Sequence, residues 1–85
     1  MSNAIDILIV GGPADGRMVC MQRKQLSTFV EFPTAEEGLA TYARGKYAYN
    51  GKLYHIATRE EDALTNEQID FAIVMNNHQP AWDLN

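Results

Sequence analysis

Cross-linking and metal-binding residues are scarce in this sequence: one cysteine and two histidines in 85 residues. A lone Cys20 excludes an internal disulfide and cannot build a thiolate zinc site. Its neighbours Met18, Val19 and Met21 are apolar, which suits a buried structural thiol better than a nucleophile, because reactivity needs exposure beside a base or a positive charge. His55 and His78 stand far apart with no partner at a ligating spacing, so neither a metal nor a cofactor is expected. No apolar run approaches the roughly 20 residues that cross a bilayer as a helix. Basic residues are also few, 7 against 11 acidic, for a net charge of −4. Long-range attraction to nucleic acid or an anionic membrane is therefore weak, and both are disfavoured as partners.

What is present is a globular composition, 46% apolar and 21% charged, at a length that holds one core, so residues 1–85 are read as a single domain. Ile5 to Val10 is a β-branched run ending in Gly11-Gly12, and Met18 to Gln22 reads the same way; both are strands. Between them, Pro13-Ala14-Asp15-Gly16 suits a hairpin corner. Pro13 pre-sets φ for a type I turn, Asp15 bonds nearby backbone, and Gly16 accepts a left-handed conformation. With Gly12 facing Arg17, Val10 lies opposite Val19, Ile9 opposite Cys20, and Leu8 opposite Met21. Both faces of this hairpin are apolar, which predicts a central position in the sheet. Thr28 to Phe32 is a third strand stopped by Pro33, and residues 34–38 form a polar connection or a single helical turn.

The clearest local signal is Asn50-Gly51, the dipeptide of a two-residue type I′ turn, flanked by two strand-like runs. The turn fixes the register: Tyr49 faces Lys52, Ala48 faces Leu53, Tyr47 faces Tyr54, and Lys46 faces His55. Tyr47, Tyr49, Tyr54 and Ile56 then share one side, and Ala48, Leu53, His55 and Ala57 the other. Glu60, Glu61 and Asp62 read as a solvated loop. Thr65 with Gln68 forms a capping box that starts a helix over residues 66–76. A strand competes for the same segment, because Ile69, Phe71, Ile73 and Met75 also alternate. Trp82, beyond Pro80, is expected to dock on the domain or on a partner.

The order of an apolar strand, Gly11-Gly12-Pro13-Ala14-Asp15-Gly16-Arg17, a second apolar strand, and later a Tyr-rich hairpin with Gly51 and Tyr54-His55 resembles small proteins of unassigned function encoded by bacteriophages and prophages. The likeness covers residues 5–21 and 42–57. It implies a phage-derived setting, in the cytoplasm of a bacterial host or in a virion, and carries no catalytic residue with it.

The glycine-rich loop lacks the Lys and the Ser or Thr of a P-loop, and the segment after it reads as strand, which also fails the dinucleotide fingerprint. Anion binding through Arg17 and the loop amides stays open beside the structural reading. Tyr42, Tyr47, Tyr49 and Tyr54, with Arg44, Lys46, Lys52 and Trp82, are the candidate interaction surface. Tyrosine serves cores, protein interfaces and single-strand stacking alike.

The expected architecture is α+β: a curved antiparallel sheet of four or five strands, built from two hairpins and a linking strand and packed on one C-terminal helix. A small barrel with a helix is the alternative. The expected function is a non-enzymatic structural or protein–protein interaction module that self-associates, a dimer being favoured, because the apolar surface exceeds what one small core covers. A phage or host protein is the other candidate partner. A nucleic-acid-binding regulator using the Tyr and Lys hairpin is the competing reading.

Overall fold

A computed structural model describes residues 4–22, 24 and 27–80. Among the described residues, five strands and one α-helix follow in order as β1 (Ala4–Ile9), β2 (Met18–Gln22), β3 (Phe29–Thr34), β4 (Gly38–Tyr49), β5 (Lys52–Thr58) and α1 (Asn66–Met75). They form one five-stranded sheet in the order β2-β1-β5-β4-β3. The sheet curls into a half-barrel with the helix packed on one face. The α+β expectation holds, with two additions. β1 and β5 pair in parallel through Leu8–Ile56 and Ile9–Ala57, and β3 and β4 form a further hairpin, Phe29 facing Ala43 and Thr34 facing Gly38.

The Asn50-Gly51 hairpin has the register its turn dictates, from Tyr49–Lys52 through Lys46–His55 to Ala43–Thr58. Both turn residues adopt the positive φ that the turn requires. The first hairpin differs from expectation. Leu8 faces Met18 rather than Met21, and Ile7 faces Val19. The reason is a longer connection: Ile9 pairs with Arg17, Gly12–Ala14 makes a 3-10 turn opened by Pro13, and Gly16 returns its amide to the Ile9 carbonyl. Gly16, at φ +85°, gives the local overtwist of a glycine bulge. β2 is an outer strand and only β1 is interior, so the central position expected for the hairpin holds for β1 alone. Cys20 is exposed, contrary to the buried thiol expected from its neighbours, since it projects from that outer strand. Pro33 lies inside β3 instead of stopping it, at an outer strand where a missing N–H is tolerated.

Alternation along the strands separates two cores. Leu8, Val10, Tyr54 and Ile56 meet the buried helix residues Ile69, Ala72 and Ile73. The curled inner face buries Ile5, Ile7, Ile9, Val30, Ala40, Tyr42 and Ala57 with Ala14 of the loop. Residues 66–75 are helix, not strand. The Thr65 side chain accepts from the Gln68 amide at 3.2 Å, and Gln68 Oε1 accepts from the Thr65 amide at 2.8 Å. The other end closes in a Schellman turn: Asn77 is left-handed, and its amide and that of His78 bond to Val74 and Ile73. His78 then folds inward, 5% exposed, and its Nε2 donates to the His55 carbonyl at 2.8 Å, tying the helix end to β5.

Candidate interaction surface and the adjoining loop

The glycine-rich loop is a corner fastened from a distance. Tyr42, fully buried on β4, donates its hydroxyl proton to the Gly11 carbonyl and accepts from the Ala14 amide, both at 3.1 Å. Arg59 lies over the Tyr42 ring, 5.2 Å from its centroid. Its guanidinium bonds Asp62 twice at 3.0 Å and Glu37 at 2.9 Å. These carboxylates, Asp62 first, raise the Arg59 pKa and keep its charge fixed. A Cβ on Gly12 would stand 2.5 Å from Arg59 Nη2 and 2.8 Å from Tyr42 Oη, so the second glycine is required by close approach. The acidic stretch is thus not wholly a solvated loop, because Asp62 is half-buried as the partner of Arg59. The Arg59, Asp62 and Glu37 group went unread in the sequence; the spacing of Arg59 and Asp62 was its only local sign.

This wiring bears on anion binding. Asp15 Oδ1 accepts from the Gly11 amide at 2.7 Å. The amides of Ala14, Asp15, Gly16 and Arg17 bond to Tyr42, Gly12, Ile9 and Ala14 respectively, and Pro13 has none. The amides of Gly11 and of residues 14–17 are bonded within the fold, and a carboxylate stands among them.

The tyrosines do not make one platform. Tyr42 lies in the inner core and Tyr54 in the helix-side core, both buried, which corrects their assignment to a surface. Tyr47 and Tyr49 are half-buried against the helix side. Tyr49 and Tyr54 rings are 6.2 Å apart. Tyr47 donates to Asp70 of α1 at 2.6 Å, and this bond, then burial, pushes its hydroxyl pKa up to about 12. Arg44 and Lys46 emerge on the opposite face, because the pleat alternates, so they do not interleave with Tyr47 and Tyr49. Arg44 Nε instead donates to the Ser27 carbonyl at 2.7 Å. Lys52 alone shares the side of Tyr49. Trp82 lies outside the described residues.

The exposed apolar residues that sequence reasoning did not single out are Met18, Phe71, Val74 and Met75, together with Phe29 and Leu39. Asp70 ties one flank of α1 to Tyr47, on the β4 side. The other flank, carrying Gln68, Phe71 and Met75, therefore overhangs the β1–β2 side. There it borders a groove of about 640 Å³ whose far wall is Gly11 and Asp15. Met18 emerges on the same face of the sheet, opposite Leu8 of the helix-side core. Phe71 and Met75 are each 66% exposed and Met18 41%. Compared with protein-family models, curated proteins and solved structures, the chain matches none of them.

Proposed function

We propose that this protein is a non-enzymatic structural or protein–protein interaction module of phage or prophage derivation that works as a self-associated form. The observation that carries the reading is the exposure of Met18, on the helix-bearing face of an outer strand, together with that of Phe71 and Met75 on the helix. Such side chains gain about 25 cal/mol for each Å² of apolar surface removed from water, so their joint exposure favours a partner. The chemistry-bearing residues support the same reading. Tyr42 fastens the loop, Arg59 covers the Tyr42 ring, and His78 fastens the helix to the sheet. The phage setting rests on the resemblance of residues 5–21 and 42–57. Gel filtration with light scattering at micromolar concentration tests the reading: a dimer is expected, and a strict monomer contradicts it.

A further inference from the structure

We infer that two copies join through their β2 edges, in antiparallel register with Cys20 facing Cys20 of the second copy, so that the two sheets run on as one. This geometry rests on the self-association proposed above and specifies its surface.

Hydrogen-bond alternation sets the register. The Ile9 amide bonds to the Arg17 carbonyl, so the next pairs bonded toward β1 are Ile7–Val19 and Ile5–Met21. Met18, Cys20 and Gln22, which face Leu8, Asp6 and Ala4, consequently turn their amides and carbonyls away from the sheet. A two-fold axis at Cys20 matches all of these groups at once, Cys20 with Cys20 and Met18 with Gln22, which no other symmetric register achieves. The five residues of the strand, Met-Val-Cys-Met-Gln, carry no charge, so no like charges meet among them.

The other outer strand forbids the equivalent pairing. The Arg44 amide bonds to the Thr28 carbonyl, which turns Phe29, Glu31 and Pro33 outward by the same alternation. A symmetric pairing there would set Glu31 against Glu31 and would lack a donor at Pro33, both known guards of a sheet edge. β2 has neither guard.

An axis normal to the sheet leaves both helices on one face. It brings the Phe71 and Met75 flanks toward each other over Met18 and Cys20. From their exposure, Phe71, Met75 and Met18 offer about 300 Å² of apolar surface per chain. That is a substantial part of the roughly 800 Å² per partner of a standard interface, to which the strand itself adds its backbone, Cys20 and Gln22.

The test uses the full chain and its single thiol. A short bis-maleimide should convert the dimer to a covalent dimer through Cys20. The Cys20→Ser, Glu31→Cys variant should stay dimeric by light scattering yet fail to cross-link. Cys20→Pro removes an outward donor at a position not bonded to β1, and should weaken dimerisation roughly tenfold. Met18→Lys, which sets a charge at the seam, should also weaken it. A dimer that cross-links at Glu31→Cys, or that is unaffected by both Cys20→Pro and Met18→Lys, overturns the β2 geometry while leaving self-association standing. A wild-type chain that is monomeric overturns both.

Discussion

The two outer strands of this sheet are finished in opposite ways. β3 is joined to β4 by a turn that satisfies itself: Thr34 Oγ1 accepts from the Glu37 amide at 3.1 Å and donates to the Gly38 carbonyl at 3.0 Å. Its outward positions include Glu31 and Pro33. β2 is joined to β1 by a loop that is fastened from β4 by the Tyr42 hydroxyl and approached closely at Gly12 by Arg59, from beyond β5. Its outward positions are uncharged and keep their donors. One edge is thus turned by its own local hydrogen bonds, with one ion pair from Arg59 to Glu37, and is guarded; the other is turned around the buried Tyr42 hydroxyl and left open. The difference shows that a proline or a glutamate in a strand carries meaning through the direction its backbone faces.

The contrast can be broken most severely at Gly12. Gly12→Ala places a Cβ against Arg59 and Tyr42 at φ +68°. It should cost about 3 kcal/mol in urea unfolding and reduce hydrogen-exchange protection in β1 and β2 before β3. A loss under about 1 kcal/mol would show that Arg59 yields, and that the loop is not held as described. Tyr42→Phe keeps the ring beneath Arg59 but strands the Ala14 amide and the Gly11 carbonyl, for about 2 kcal/mol by the same measurement.

A smaller effect concerns the helix flank tied to β4. Because the folded-state pKa of Tyr47 is raised to about 12, above the ordinary value of about 10, its contribution is fully present below about pH 10 and is lost as pH rises through about 12. Alkaline unfolding curves should therefore lose part of their slope in that window on Tyr47→Phe. Smallest is Thr34→Ala, at an exposed turn, where about 0.5 kcal/mol is expected and β2 should be untouched.

What could be read from the chain follows the same division between local and distant causes. Asn50-Gly51 dictates its hairpin register from two residues, and Thr65 with Gln68 dictates a helix start from four, so both were legible. The β1–β2 register was not, because the turn, the Gly16 bulge and the Tyr42 clamp together decide where Leu8 lands, and Tyr42 is distant in sequence. The parallel β1–β5 pairing has no turn to announce it. The candidate surface shows the limit most clearly. Tyr42 and Tyr54 read like Tyr47 and Tyr49 as residue types, and only the curl and the helix decide which rings are covered. Met18, Phe71 and Met75 read only as part of an apolar excess over one core, and are left outside because the helix covers β5 and part of β1 but stops short of β2.

Amide exchange read by NMR at increasing protein concentration tests the asymmetry of the two edges most directly. The amides of Met18, Cys20 and Gln22 should become protected as concentration rises, while those of Phe29 and Glu31 keep exchanging at a constant rate. Protection that grows at Phe29 and Glu31 instead, or at neither strand, would contradict the account.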